Sequence, residues 1–130
     1  MHNILPVTVT TIEATAILDL FQKISGQKFQ RLVIDEKIYF ELGIINGTKV
    51  FMVQSEMGTT GPGASLITIH KAIKAIQPSA VIMTGIAFGI DPHKQNLGEI
   101  LVSRQLVPYE QQKIKEDGVI PRWDRVTASL

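Results

Sequence analysis

The stretch NILPVTVTTIEATAILDLFQKISG, residues 3–26, decides the fold because its periodicity changes from that of a strand to that of a helix. Residues 3–10 are apolar and β-branched, which predicts a buried strand. Thr10 and Glu13 fit a capping box, in which a hydroxyl and a carboxylate satisfy the first free amides of a helix. Gly26 suits the helix end. The apolar residues at helical spacing in between are Ile17, Leu20, Phe21 and Ile24. We therefore expect a strand, a tight turn and a helix.

Two further segments carry local signals. IYFELGIINGTKVFMVQ, residues 38–54, has two β-rich runs on either side of Asn46-Gly47, a pair suited to the positive φ angles of a type I′ turn, so it predicts a hairpin. SEMGTTGPGAS, residues 55–65, predicts a loop that leads into a helix ended by Pro78. The predicted apolar face of that helix consists of Leu66, Ile69, Ile73 and Ile76.

The remaining segments complete an α/β pattern. AVIMTG, residues 80–85, lacks polar alternation and predicts a central strand buried by helices on both faces; GEILVSRQLVPY, residues 98–109, predicts another strand. Residues 110–130 are polar and predict a short helix, a turn and a helix start at Asp124. This order indicates an α/β layer fold with a mixed sheet. Because the chain stops at a helix start, we expect it to be truncated, with an exposed sheet edge.

The composition restricts the class of protein. With 130 residues, 45% of them hydrophobic, the chain can form one domain with a core, and a net charge of +1 provides no basic face for nucleic acid. The lack of cysteine excludes disulfides and thiol chemistry and favours a cytoplasmic protein. The N-terminal stretch has no uninterrupted apolar run, so we expect no signal peptide, membrane span or membrane partner. The scattered histidines lack metal-site spacing, and no metal or cofactor is expected.

Three places are candidate sites, and each also has a structural interpretation. The loop at residues 55–65 either cradles an anion with its backbone amides or connects a strand to a helix. Gly85, Phe88 and Gly89 follow a strand end, where ligands bind in open α/β sheets, yet they could equally form turns and core. Glu13 is either a helix cap or a carboxylate at the same sheet edge that orients a water molecule or a sugar hydroxyl.

In their order, these motifs resemble the nucleoside phosphorylase / methylthioadenosine–S-adenosylhomocysteine nucleosidase superfamily. The matching elements are TTIEATAIL, the MG…GAS loop, the P.AVI.TG.A.G strand end and GEILVS. The chain looks most like the phosphorylase-type domains of multidomain bacterial signalling and defence proteins. The resemblance implies a three-layer mixed sheet flanked by helices, of which residues 1–130 would be the N-terminal half. It also implies an enzyme that cleaves the N-glycosidic bond of a purine nucleoside or nucleotide.

The resemblance assigns roles to residues of this chain. Glu13 matches the glutamate that helps to activate the attacking water in the nucleosidases. A loop near the ribose or its phosphate is matched by Gly58, Thr59 and Thr60. The segment that lines the purine and sugar pocket is matched by Gly85, Ile86, Ala87 and Phe88.

Departures from the superfamily pattern bear on the reaction. Phosphorylases commonly carry an arginine just before the glycine segment, whereas Met83-Thr84 cannot bind phosphate bidentately, so hydrolysis is favoured over phosphorolysis. Ile86 stands where relatives often have serine, and Glu99 replaces an aspartate. The later half of the domain supplies the groups that grip the ribose hydroxyls and the aspartate that protonates the purine, and nothing after Tyr109 matches them.

Three functions remain open on these grounds. The first is a hydrolytic purine nucleosidase, the second is a phosphate-dependent nucleoside phosphorylase, and the third is a nucleotide-sensing or assembly module without turnover. A purine nucleoside or nucleotide is the expected ligand in each case. Either self-association or a missing C-terminal segment is expected to cover the apolar sheet edge.

Overall fold

A computed structural model describes residues 1–58, 61–106, 112–115, 118–121 and 126–127, which fall into two compact units, Met1–Ile86 and Ala87–Leu130. The first unit is a five-stranded sheet with strand order β2-β3-β4-β1-β5 and two helices. Its elements are β1 His2–Thr8, α1 Thr11–Ser25, β2 Gln30–Ile34, β3 Lys37–Ile45, β4 Thr48–Gln54, α2 Ser65–Ile76 and β5 Ala80–Met83. β1 runs parallel to both β4 and β5, whereas β2, β3 and β4 are antiparallel, so the sheet is mixed.

The sheet of the first unit is covered by one helix on each face. Successive residues of β4 alternate between the two faces of the sheet. Met52 packs in a hydrophobic cluster that includes Ala14 of α1, and Val53 packs in a second cluster that includes Ala72 of α2. Met52, Val53 and Ala72 are fully buried, so both clusters exclude solvent at these residues. The prediction of a three-layer α/β fold with a mixed sheet is confirmed.

The backbone conformations of the turns agree with the residues found there. One strand, β2, was not predicted from the sequence. Asn46 and Gly47 have φ angles of 48° and 75°, which confirms the predicted type I′ hairpin between β3 and β4. A second hairpin joins β2 to β3 through Asp35 and Glu36, whose φ angles are 48° and 64°. β2 was not predicted because this turn holds positive φ angles without glycine, the residue that normally signals it.

Half of each predicted apolar helix face is confirmed. In α2, Ile76 is buried and Ile69 packs against the core, as predicted, whereas Leu66 and Ile73 are exposed; Thr68 and Ala72 are buried as well. In α1, Ala14 is buried and Ile17, Leu18 and Phe21 pack against the core, whereas Leu20 and Ile24 are exposed. In α2, Ala72 is fully buried against the sheet, whereas the next residue, Ile73, faces outward.

β5 was predicted as a central strand buried on both faces, and this prediction is wrong for the described residues. β5 pairs with β1 only and forms an edge of the sheet. Ile82 and Met83 are each 47% exposed. Val81, by contrast, packs against the cluster that contains Ala72 and Ile76 of α2. Ile82 and Met83 therefore mark a surface that the described residues leave open.

The second unit differs most from the prediction. Gly98–Arg104, predicted as part of a strand, has no strand structure; only β6, Gln105–Leu106, does, and it pairs with β9, Val126–Thr127. Residues 107–109 lie outside the described residues. The predicted helices are wrong where the chain is described, because β7, Gln112–Lys115, and β8, Gly118–Pro121, form an antiparallel hairpin. The alternating KIK sequence and the β-branched GVI sequence favour strands, while the helix start at Asp124 is not described.

Candidate functional site

Glu13 lies in the first turn of α1, where β1 passes into the helix. Its Oε2 accepts hydrogen bonds from the backbone N–H groups of Val9, at 3.2 Å, and Thr10, at 3.0 Å. In return, Thr10 Oγ1 accepts a hydrogen bond from the Glu13 N–H at 3.3 Å. The predicted capping box is confirmed, and so is the helix end at Gly26, which adopts a φ of 67°. Glu13 is thus fixed at the carboxyl end of β1.

The other carboxylate oxygen of Glu13 reaches the segment that follows β5. Oε1 accepts a hydrogen bond from the backbone N–H of Ile86 at 3.2 Å. Gly85 lies directly beside it, since a Cβ built at Gly85 would be 3.4 Å from Oε1. The parallel ladder brings the two places together, with the Thr84 N–H donating to the Val7 carbonyl at 2.9 Å. One carboxylate therefore joins the ends of two neighbouring parallel strands.

The backbone amides around Glu13 set its charge. The Thr10 amide has the largest effect and lowers the pKa of Glu13 below its ordinary value. Partial burial opposes this by raising the pKa, but the amides of Val9 and Ile86 lower it further. Hydrogen bonds from N–H donors favour the charged form of a carboxyl group. Glu13 is consequently an anion at neutral pH and acts as a hydrogen-bond acceptor.

The glycine loop after β4 closes on itself before α2 begins. The Glu56 N–H donates to the Gly63 carbonyl at 2.7 Å, and both the N–H and the Oγ of Ser65 donate to the Gly58 carbonyl at 3.1 Å. Gly58 has a φ of 95°, a conformation that suits glycine. A Cβ at Gly63 would collide with the Glu56 carboxylate. Thr59 and Thr60 are not among the described residues.

α2 begins without the side-chain cap that α1 has. Its N-cap residue is Ala64, which makes no side-chain hydrogen bond, and its first turn contains no acidic residue. The Glu56 carboxylate lies next to Gly63, directly before this N-cap, so a protein anion is already near the positive pole of the helix dipole. The role of the loop as an anion cradle stays a prediction.

Of the predicted site residues, the structure brings together Glu13, Gly85 and Ile86. The side chain of Ile86 is 74% exposed, although its amide is held by Glu13. Ala87 and Phe88 belong to the second unit, in which Phe88 is 92% exposed. The structural alternative for Phe88, a core residue, therefore does not hold within that unit.

Of three polar residues at the ends of β1 and β4, Thr8 and Gln54 were not predicted as site residues, whereas Ser55 belongs to the predicted loop at residues 55–65. Gln54 Nε2 donates to the Val9 carbonyl at 3.0 Å, which ties the end of β4 to the segment that also binds Glu13. Ser55 and Thr8 are both buried, and the Ser55 N–H donates to the Thr8 carbonyl at 2.8 Å. The signal in the sequence was the change from apolar to polar residues at the end of each strand.

A cavity of about 380 Å³ opens on the β3–β4 side of the sheet. It is lined by Glu36, Lys37, Ile38, Phe40, Gln54, Ser55 and Glu56. Neither Glu13 nor the Gly85–Ile86 pair lines it. Within the described part of the chain, no group of three or more His, Asp or Glu residues could hold a metal ion. No described helix has the length and apolar content needed to cross a membrane.

Comparisons with known proteins agree with the order of the motifs. The family model described as the phosphorylase superfamily matches residues 10–123. No curated protein matches the chain significantly. Among solved structures, the chain is similar to a futalosine hydrolase mutant of Helicobacter pylori strain 26695, with a TM-score of 0.67 and 20% identity over 99% of this chain and 56% of that chain. The chain thus spans little more than half the length of that protein, and at this identity the likeness concerns the fold.

Proposed function

Because the chain belongs to the phosphorylase superfamily, as the order of its motifs predicted, we propose that it forms the N-terminal half of a purine nucleosidase domain. Its reaction would be the cleavage of the base–ribose bond of a purine nucleoside or nucleotide by water. The observation that carries this proposal is the position of the Glu13 carboxylate, which lies beside Gly85 and Ile86 at the ends of two parallel strands. A negatively charged acceptor at this edge suits a water molecule or a sugar hydroxyl.

Two observations favour hydrolysis over phosphorolysis. The residues that precede the glycine segment are Met83 and Thr84, neither of which can bind phosphate with a bidentate charged group. The similar solved structure is that of a protein named as a hydrolase. Phosphate-dependent cleavage remains an alternative that the assay below distinguishes.

The proposed active site needs groups that these residues do not supply. Breaking an N-glycosidic bond gives the sugar a positive charge and the base a negative one, so an acid must protonate the leaving base. The carboxylate of Glu13 is charged and hydrogen-bonded by amides, which makes it unsuited to that task. We propose that the acid comes from a later part of the domain or from another chain.

The test is the detection of free base by chromatography, with the complete protein and a panel of nucleosides and nucleotides, each with and without phosphate. Glu13→Gln removes the negative charge at the proposed site, and we expect at least a tenfold loss of base release, as the loss of a hydrogen bond to a charged group implies. Asp19→Asn is the matched control, because it removes the same charge from an exposed position of the same helix. Unchanged release with Glu13→Gln would show that the assigned role is wrong.

A nucleotide-sensing or assembly module without turnover is the second candidate. Ile86, which cannot offer the hydroxyl of the usual serine, and Glu99, in place of an aspartate, both favour it. Binding of a purine nucleotide without any base release, measured by calorimetry on the complete protein, would support this function. Release of base by the same sample would exclude it.

The exposed edge of the sheet supports a proposal about partners. Ile82 and Met83 of β5 are each 47% exposed on a strand that, among the described residues, pairs with β1 only. We propose that a second copy or a further segment covers this edge, because open apolar edges promote strand pairing. A monodisperse, well-folded monomer of these residues, measured by light scattering, would count against it.

The lack of cysteine favours a cytoplasmic location, which also stays a prediction.

A further inference from the structure

The cavity beside the end of β4 is built from different residues than the edge at Glu13. Its volume of about 380 Å³ suits a small molecule. Ile38 and Phe40 of β3 give it an apolar side, and Ser55 and Glu56 at the end of β4 give it a polar side. An apolar wall with a few polar groups is the usual composition of a site for an organic ligand.

Three charged residues line this cavity: Glu36, Lys37 and Glu56. The ion pairs found in the described part of the chain involve other residues. The Glu56 N–H donates to the Gly63 carbonyl at 2.7 Å, and the Glu56 carboxylate occupies the space that a side chain at Gly63 would need. Glu56 is thus held beside the cavity, and its charge has no basic partner among the described residues.

The hydroxyl of Ser55 is the buried polar group of the cavity. Ser55 is 3% exposed, and its Oγ donates to the Thr8 carbonyl at 3.4 Å, a long hydrogen bond. That carbonyl already accepts a shorter bond from the Ser55 N–H, at 2.8 Å. The Oγ accepts no hydrogen bond from any described residue, although buried hydroxyls usually have good partners. Ser55 therefore offers an acceptor to a donor placed in the cavity.

The charges of the first unit are divided between the two ends of its sheet. The cavity lies at the end where β1 and β4 finish and β3 begins, and the charged residues there are Glu13, Asp35, Glu36 and Glu56 against Lys37. Basic residues lie at the other end, where both helices finish and β2 begins, namely Lys23, Arg31 and Lys74. A cleft at an acidic end concentrates cations and repels anions.

We infer that this cavity binds an organic cation, a primary ammonium group on a short apolar stem. An ammonium group has three N–H donors and no acceptor. The Ser55 Oγ and the carboxylates of Glu36 and Glu56 supply the acceptors, and Ile38 and Phe40 contact the stem. Two carboxylates against the one ammonium group of Lys37 give the lining a net negative charge. The site is separate from the one proposed for base release and does not depend on that function.

A titration of the full chain with butylammonium, followed by NMR at constant ionic strength, tests this site. We expect saturable shifts of the Ser55 and Glu56 amide resonances, with a dissociation constant of about 1–10 mM for so small a ligand. Butyrate has a stem of similar length with the opposite charge, and butanol has no charge; both should bind roughly fivefold more weakly or less. Butyrate binding as tight as that of butylammonium, or no saturable shift at these amides, would overturn the inference.

Substitutions of the lining charges give effects of opposite sign. Glu36→Gln and Glu56→Gln should each weaken butylammonium binding by about two- to fivefold, and Lys37→Gln should strengthen it by a similar factor. Asp35→Asn is the matched control, because it removes a carboxylate from the same turn at a residue that does not line the cavity. Its affinity should stay within about twofold of the wild type, since exposed charges are screened. Weaker binding in Lys37→Gln, or equal losses in Asp35→Asn and Glu36→Gln, would refute a site made by these residues.

Discussion

Substitution of Thr8 tests whether a buried hydroxyl without a hydrogen-bond partner lowers the stability of this fold. Its side chain is fully buried at the carboxyl end of β1, and its Oγ1 has no hydrogen-bond partner among the described residues. A buried donor without a partner costs about 1–3 kcal/mol in desolvation. Valine has the same branched shape without the hydroxyl and suits a strand equally well. Thr8→Val should therefore raise the free energy of unfolding by about 1 kcal/mol, which corresponds to a melting temperature about 3–5 °C higher.

Thr68→Val is the matched control with the opposite expected sign. Thr68 is 1% exposed, and its Oγ1 donates to the Gly63 carbonyl at 3.0 Å. That carbonyl also accepts from the Glu56 N–H, so the substitution removes one hydrogen bond without leaving the acceptor empty. We expect a loss of about 0.5–1.5 kcal/mol.

Urea unfolding followed by far-UV circular dichroism measures both variants under the same conditions. If Thr8→Val lowers the unfolding free energy, as Thr68→Val should, then the Thr8 hydroxyl is satisfied by a bound water molecule or ligand group and the reasoning from an unpartnered hydroxyl is refuted. If Thr8→Val stabilises the protein but weakens nucleotide binding, the hydroxyl is kept for a ligand at the expense of stability.

Three further predictions concern other parts of the first unit. Because the pKa of Glu13 is lowered on folding, its contribution to stability is present above the unfolded pKa of 4.5 and is lost as the pH falls through the lower folded pKa. Urea midpoints measured from pH 7 to pH 3 should show this loss in the wild type and not in Glu13→Gln. Gly47→Ala should cost about 1 kcal/mol because φ is 75° there, whereas Gly61→Ala, at an ordinary φ and with its nearest contact at 3.8 Å, should be neutral in the same assay. Leu66→Glu should raise the melting temperature by about 1–4 °C, since Leu66 is 63% exposed in the acid-free first turn of α2, and Leu66→Lys should not.

The parts of the fold that local chemistry determines could be predicted from the sequence. Thr10 with Glu13, Gly26, and Asn46 with Gly47 each act within a few residues, and all adopt the predicted conformations. The exposure of β5 could not be predicted, because it depends on which strand lies beside Ile82, and composition does not give strand order. For the same reason only half of each predicted helix face is buried. Ile17, Phe21, Ile69 and Ile76 pack on the core, whereas Leu20, Ile24, Leu66 and Ile73 are exposed.

The candidate site, too, could be predicted from the sequence only in part. That Glu13 and the glycine segment face one sheet edge follows from the parallel β1 and β5 strands, whose carboxyl ends lie side by side. The hydrogen bond from Ile86 to Glu13 could not be predicted, because it joins residues 73 positions apart through a backbone donor that carries no signal in the sequence. Gln54 was missed because its role depends on a carbonyl group of another strand.

The central place of β1 in the sheet has a consequence for synthesis on the ribosome. β1 is made before its parallel neighbour β4, which begins only at Thr48. At about 5–20 residues per second, the apolar strand waits roughly 2–10 s for a native neighbour. Pro6, in the middle of β1, has no N–H to donate, so we expect it to limit pairing of the unfinished strand with other nascent chains during that wait.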